Sequence, residues 1–173
     1  MDDFNIRDTA AVPAPLDDPD AAEAETRLAH RRALDPVRDV LAEAGFYAYG
    51  TLDDQGRWTV AADDEAGHVD VRVGADGFAI DLWGTSPGLY ADEENEFRRR
   101  MLERLVRMNL PAINRGLLGP HQSAAWDDAE GGIRIHLTYE LPFTRRGDIG
   151  DFVRDRLGEL EETIAFVESR VVS

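Results

Sequence analysis

The 173-residue chain contains no cysteine and no lysine, and its formal net charge is −16. The lack of cysteine excludes disulfides, thiol nucleophiles and cysteine-ligated metal centres, and the lack of lysine excludes Schiff-base chemistry and a P-loop lysine. Because so acidic a surface repels phosphate backbones, we expect no nucleic-acid partner.

The start of the chain and its apolar runs indicate where in the cell the protein is expected. The apolar runs are far shorter than a membrane span, and the acidic start Met1-Asp2-Asp3 lacks the apolar core of a secretory leader. The sequence therefore predicts a cytoplasmic protein that has no membrane partner. Residues 1–19 contain three prolines and no apolar periodicity, which predicts a flexible acidic tail ahead of one domain over residues 20–173.

Two helices are predicted at the start of that domain. The first runs from Asp20 to about Ala33 and has a thin apolar face. Asp35-Pro36 is typical of a new helix start, with an N-cap followed by proline at the first helical position. The apolar positions that follow repeat at helical spacing up to Gly45, the expected stop: Val37, Val40, Leu41 and Ala44.

Four short strands are predicted next, separated by turns rich in Asp and Gly. Near-hairpin spacing with such turns is typical of an antiparallel sheet. The predicted strands are Phe46–Leu52, Arg57–Ala62, His68–Val73 and Phe78–Trp83.

A long helix is predicted to begin near Asp92 and to be interrupted at Pro111. Its apolar residues predict a stripe buried in the core: Phe97, Met101, Leu102, Leu105 and Met108.

The last part of the chain predicts two strands and a helix. Gln122–Trp126 and Ile133–Tyr139 are the strands, and the second alternates apolar with polar residues as a half-buried strand does. The final helix has one continuous apolar stripe, which we expect to be part of the core: Ile149, Val153, Leu157, Leu160, Ile164, Val167 and Val171. Its length leaves its end free to reach a partner. The predicted fold is α+β, with an antiparallel sheet of five or six strands, helices mainly on one face, and the order α-ββββ-α-ββ-α.

No catalytic residue, metal site or cofactor site is predicted. The four histidines have no metal-ligand spacing, and the clustered acids sit in predicted turns, where Asp is favoured for conformational reasons. Neither a nucleophile elbow nor a dinucleotide fingerprint occurs.

The candidate partner-binding residues are aromatics on strands and arginines on the middle helix. Tyr47, Tyr49, Trp58 and Trp83 lie on predicted strands, and alternation sends some of them to a sheet face that helices leave uncovered. The alternative is that helices cover both faces. Arg98 and Arg99 belong to the main basic cluster, which predicts either a contact to an acidic partner or tail, or a solvated helix face paired with neighbouring glutamates.

The order of these elements resembles that of type III secretion chaperones and the YbjN-like proteins. The matching segments are a helix from Asp35-Pro36 into Phe46, a hairpin over Val69–Trp83, a middle helix over Phe97–Asn114, and a strand over Ile133–Pro142 followed by a helix from Asp148. The resemblance implies a small chaperone or adaptor that binds proteins or peptides and is often a dimer. Some members are described as sensory-transduction regulators. The chain departs from the pattern in its four strands before the middle helix and its longer acidic tail.

The sequence thus predicts a non-enzymatic protein that binds a protein or peptide on the uncovered sheet face or beside an exposed strand edge, where backbone groups would add a strand. A homodimer is an alternative use of the same surface. Two other classes stay open at this point. An immunity or toxin-neutralising protein would use the net negative charge against a basic partner, and a metal-dependent hydrolase would use carboxylates in the turns.

Overall fold

In the computed structural model, residues 19–86 and 93–171 are described, and they form a six-stranded antiparallel sheet, three α-helices and one 3-10 helix. The helices are α1 (Pro19–Glu43), α2 (Glu96–Gly116) and α3 (Ile149–Val171), with the 3-10 helix at Phe143–Asp148. The strands are β1 (Tyr47–Leu52), β2 (Trp58–Asp64), β3 (Gly67–Val73), β4 (Gly77–Ser86), β5 (Gln122–Asp127) and β6 (Gly132–Pro142). The predicted α+β class and the order α-ββββ-α-ββ-α are confirmed. The predicted tail falls almost entirely within residues 1–18, which lie outside the described residues.

The order of strands across the sheet is β1-β2-β3-β4-β6-β5. The first four strands form a meander, and α2 then carries the chain to the far edge, where β5 begins. β6 returns from β5 and pairs with β4 over its whole length, from Gly77 opposite Pro142 to Ser86 opposite Ile133. β1 and β5 are consequently the two edges of the sheet.

The core lies between one face of the sheet and the helices. Alternation along β4 buries Phe78, Ile80 and Leu82 on this face and leaves Ala79, Asp81 and Trp83 on the other. α1 packs over β1, β2 and β3, whereas α3 packs over β4 and β6 and α2 lies beside β5 and α3. The helices therefore lie on one face, as predicted.

α3 confirms its predicted stripe. Its seven apolar positions belong to the core, six of them buried and Ile164 partly buried. Its end is not free for a partner, because Val171 is buried and its carbonyl accepts a hydrogen bond of 2.8 Å from the Asn109 side chain on α2.

The prediction of two helices before β1 is wrong, since α1 is continuous through Pro36. Proline in a helix removes one backbone N–H, and the carbonyl left without it here belongs to the exposed Arg32, where water reaches it. Leu34 and Val37 on either side are fully buried, so packing favours one helix. The predicted interruption at Pro111 is wrong for the same kind of reason, because Leu110 and Ile113 beside it are buried.

The predicted burial of the α2 stripe is confirmed for Leu102, which packs against the core, and is wrong for its other four residues. Phe97 is 73% exposed, Met101 54% and Met108 68%, and Leu105 is exposed as well. The residues that α2 packs into the core lie on its opposite side: Leu102, Val106, Leu110 and Ile113. The helix begins at Glu96, and its N-cap is Asn95, whose side chain accepts a hydrogen bond of 3.1 Å from the Arg98 N–H.

Candidate functional site

The sheet face opposite the helices carries the aromatic and charged side chains of all six strands. We call it the open face, because no helix of the described residues packs on it. The cross-strand register assigns the following residues to it: Tyr47, Tyr49, Thr51, Thr59, Ala61, Asp63, His68, Asp70, Arg72, Ala79, Asp81, Trp83, Thr85, Ser123, Ala125, Asp127, Arg134, His136, Thr138 and Glu140.

His68 is the centre of an ionic cluster on the open face. Its Nδ1 lies 2.6 Å from an oxygen of Asp63, and its Nε2 lies 3.1 Å from an oxygen of Asp70. The hydrogen bond with Asp70, supported by that with Asp63 and opposed by burial, raises the pKa of His68 to about 9. The hydrogen bond from His68 in turn lowers the pKa of Asp63. At neutral pH the ring is therefore a cation held between two carboxylates.

This cluster fixes one of the tyrosines at the sheet edge. The Tyr49 hydroxyl donates a hydrogen bond of 3.1 Å to Asp63, and the Tyr47 ring packs against Tyr49 with centroids 5.8 Å apart. Burial and the hydrogen bond to Asp63 raise the pKa of Tyr49, so its hydroxyl stays protonated at neutral pH. Tyr47 itself is 76% exposed. The pair therefore presents the exposed ring of Tyr47 beside the ring of Tyr49, which its hydrogen bond to Asp63 holds in place.

Trp83 forms a second aromatic position near the middle of the open face. The His68 ring lies 5.0 Å from the Trp83 ring on one side, and the Arg134 guanidinium lies 4.6 Å from it on the other. Arg134 also forms an ion pair with Asp127 on β5. Trp83 thereby lines a shallow pocket on the open face together with Ser123, Ala125, Arg134 and His136.

Next to Trp83 on the open face lies an ion-paired carboxylate, Asp81. It pairs with Arg72 on β3, and it lies 3.3 Å from His136 Nε2 on β6. Burial raises the pKa of Asp81, but the hydrogen bond from His136 and the charge of Arg72 outweigh it and lower that pKa. These contacts tie three strands together, which favours a structural role.

The β5 edge of the sheet is closed by α2. The Asn114 side chain donates a hydrogen bond of 2.7 Å to the Ala124 carbonyl and accepts one of 2.8 Å from the Ala124 N–H. The neighbouring outward N–H, that of Gln122, bonds to the Gly119 carbonyl at 3.1 Å. The amide of Asn114 thus takes the place that another strand would occupy.

The β1 edge is different. In an antiparallel pair, the backbone groups of alternate residues point toward the neighbouring strand and away from it. The hairpin bond from the Asp53 N–H to the Arg57 carbonyl fixes which residues of β1 point toward β2, and these are Tyr47, Tyr49 and Thr51. The backbone groups of Ala48 and Gly50 consequently point outward, and neither has a hydrogen-bond partner among the described residues. The strand, Tyr47–Leu52, contains no charged residue and no proline, the usual devices that keep a free edge from pairing.

The sequence-predicted site residues separate into three groups. Tyr47, Tyr49 and Trp83 lie on the open face. Trp58 does not: it lies on the helix-covered face, where the Arg31 guanidinium of α1 is 5.2 Å from its ring. Arg98 and Arg99 lie on α2, beyond the opposite edge of the sheet from β1.

Two features of the site were not predicted, the His68 cluster and the Asn114 contact, whereas an exposed strand edge was expected without being assigned to β1. The His68 cluster could have been found from the sequence, because a two-residue turn at Glu65-Ala66 places Asp63 directly opposite His68.

Among residues 19–86 and 93–171, no three His, Asp or Glu side chains form a group that could hold a metal ion. In the same part of the chain, no helix combines the length and apolar character needed to cross a membrane.

Comparison with known proteins gives no relative. No protein-family model matches the chain, and neither a curated protein sequence nor a solved structure does so.

Proposed function

We propose that this chain is a non-enzymatic chaperone or adaptor that binds an extended peptide segment of a protein partner as an added strand along β1. The observation that carries the proposal is the difference between the two sheet edges. Asn114 occupies the β5 edge, whereas Ala48 and Gly50 on β1 present backbone groups that have no partner among the described residues. An extended peptide that pairs with such groups gains main-chain hydrogen bonds, and flanking side chains give specificity.

The tyrosines on β1 supply the apolar contact that an added strand needs. Tyr47 and Tyr49 stand on the open face directly beside the free edge, so side chains of the peptide on that face pack against them. The net charge of −16 favours basic segments, and it makes their capture faster at low salt. This binding mode agrees with the chaperone and adaptor role that the resemblance to the type III secretion chaperone-like and YbjN-like proteins implies.

The test uses labelled basic decapeptides that differ only in backbone N-methylation. In an added strand, alternate residues bond to β1 and the others point away. Methylation of one alternate set should therefore abolish binding in fluorescence anisotropy, and methylation of the other set should leave it within about twofold. Equal effects of the two sets would contradict strand addition.

A proline variant tests the protein side of the same contact. Ala48→Pro removes an outward N–H but no bond of the β1–β2 ladder, so it should weaken the peptide by about tenfold or more and leave the protein folded. Thr51→Pro is the matched control, because it removes a ladder bond and should destabilise the sheet. Tyr47→Ala should also weaken binding, whereas Leu117→Ala, a similarly exposed site on the far side, should not.

A homodimer through β1 is the competing use of this edge. Sedimentation velocity of the wild type and of Ala48→Pro distinguishes the two. A wild-type dimer that the proline converts to a monomer, together with no peptide binding, would replace the peptide proposal by self-association.

A further inference from the structure

Helix α2 has apolar residues on two opposite sides. Leu102, Val106, Leu110 and Ile113 pack into the core, and a second stripe faces away from it. We call this second stripe the outer face of α2, and it consists of Phe97, Met101, Leu105 and Met108, all exposed. Positions 97, 101, 105 and 108 fall on one side of a helix and span about 16 Å at 1.5 Å per residue.

An arginine flanks this stripe on each side. At 100° per residue, Arg98 lies about 65° to one side of the stripe centre and Arg104 about 55° to the other. Neither side chain has an ion pair or hydrogen-bond partner among the described residues. Arg100 and Arg107, in contrast, pair with Glu96 and Glu103 on the same helix. The surface thus combines an apolar stripe with free positive charge in a chain of net charge −16.

We propose that the outer face of α2 binds an amphipathic helix of a partner protein whose apolar stripe is bordered by acidic residues. A helix laid along α2 would cover the four exposed apolar side chains, and its carboxylates would pair with Arg98 and Arg104. Arginine and methionine are both enriched in protein interfaces, and methionine adapts to varied apolar partners.

A second copy of the chain fits this surface poorly. If two copies packed their outer faces antiparallel about the stripe centre, each flank would face the same flank of the second copy, and Arg104 would lie about 4 Å along the helix axis from Arg104 of the second copy. A parallel arrangement would place the flank of Arg98 against the flank of Arg104 of the second copy. Both arrangements place like charges together at the border of an apolar contact, which is unfavourable.

The surface is separate from the β1 edge. α2 packs beside β5 and α3, and β5 is the strand at the opposite edge of the sheet from β1. The two surfaces can therefore be occupied at once, and each can be altered without the other.

The test measures the fluorescence anisotropy of designed helical peptides of about 18 residues, or five turns. One peptide has leucines at helical spacing and glutamates elsewhere, and the other has lysines in place of the glutamates. The acidic peptide should bind at least about tenfold more tightly, although the whole chain is acidic. Tighter binding of the lysine peptide would mean that net charge governs the contact and would overturn the proposal.

Charge reversal on the protein locates the binding surface. Arg98→Glu with Arg104→Glu should weaken the acidic peptide by about tenfold or more. Arg32→Glu with Arg146→Glu makes the same charge change at two exposed arginines elsewhere and should change affinity by about twofold or less. Equal losses in both pairs would overturn the proposal. All four sites are exposed, so circular dichroism should show the native fold throughout.

Two further measurements complete the test. Sedimentation velocity of the wild type and of Met101→Glu asks whether a second copy covers the stripe, and a dimer dissociated by Met101→Glu would overturn the proposal. Ala48→Pro, which acts at the β1 edge, should leave binding of the acidic helix unchanged. Failure at α2 is thereby distinguished from failure of the proposed peptide site at β1.

Discussion

Replacing His68 by glutamine should remove a pH dependence of stability that the open face builds into the fold. His68 has a pKa of about 9 in the folded chain, above its ordinary value of 6.5, because Asp70 and Asp63 hydrogen-bond to its charged ring. A raised folded-state pKa gives stability that is fully present below pH 6.5 and is lost as the pH rises through about 9. Glutamine keeps a hydrogen-bonding group but cannot carry the charge.

The size of the effect follows from the two pKa values. The difference between 6.5 and about 9 corresponds to roughly 3 kcal/mol, since each unit of pKa is worth about 1.4 kcal/mol. Solvent reduces this figure, since the Asp63 side chain is 57% exposed even though that of His68 is only 19% exposed. We therefore expect the free energy of unfolding to fall by about 1–2 kcal/mol between pH 6.5 and about 9.5.

Urea unfolding followed by tryptophan fluorescence measures this change, and Trp83 beside His68 is one of the three tryptophans that report it. The wild type should lose stability across this pH range, and His68→Gln should be nearly flat. His30→Gln is the matched control, because His30 has no ion pair among the described residues, and it should keep the wild-type slope. A wild-type curve without this loss, or a loss that persists in His68→Gln, would refute the reasoning.

Leu160→Ala should lower the free energy of unfolding by about 2–5 kcal/mol, because Leu160 is fully buried, and a loss under about 1 kcal/mol in urea unfolding would contradict the packing of α3. Met108→Ala should change the free energy of unfolding by only about 0.5 kcal/mol, whereas Leu110→Ala, at a buried position of the same helix, should lower it by about 2–5 kcal/mol. Similar values for the two variants would mean that α2 is rotated from its described position. Asn114→Ala should lower the free energy of unfolding by about 1–3 kcal/mol and should open the β5 edge. Sedimentation at increasing concentration should then reveal self-association that the wild type lacks. An unchanged sedimentation profile would argue against the role of Asn114 at that edge.

The elements with a single strong period were predictable from the sequence. In β6, apolar Ile133, Ile135 and Leu137 alternate with polar residues, and these three are buried. In α3 the apolar stripe has no competitor on the other sides of the helix, so the buried face follows directly. Where only one face of a helix or strand is apolar, the hydrophobic effect favours the single arrangement that buries that face.

α2 was mispredicted because it carries two apolar stripes of the same period. Phe97, Met101, Leu105 and Met108 repeat at helical spacing, and so do Leu102, Val106, Leu110 and Ile113. Period alone cannot rank two such stripes. Tertiary packing decides, and it buries the stripe of compact branched side chains. Pro36 and Pro111 were likewise predicted to mark the boundaries of helices. Both helices continue through them, because buried leucines beside the prolines favour a continuous helix.

The candidate site depends on long-range contacts that no local pattern encodes. Asn114 and Ala124 are ten positions apart and belong to different elements, so their contact follows only from the way α2 leads into β5. The short connection from Gly116 to Gln122 holds the end of α2 alongside the first residues of β5. An amide side chain at that point can therefore cap the strand.

The same connectivity leaves β1 uncapped. α1 reaches β1 through a turn in which Gly45 adopts a positive φ of 96°, and the helix crosses the sheet over β1, β2 and β3 rather than running along the edge of β1. The turn ends in a hydrogen bond from the Phe46 N–H to the Leu41 carbonyl, just before the strand begins. Beyond it, the outward backbone groups of Ala48 and Gly50 have no partner within residues 19–86 and 93–171, so water or an added strand can satisfy them. Because β1 also lacks the charges and prolines that protect a free edge, we infer that pairing there is used rather than avoided.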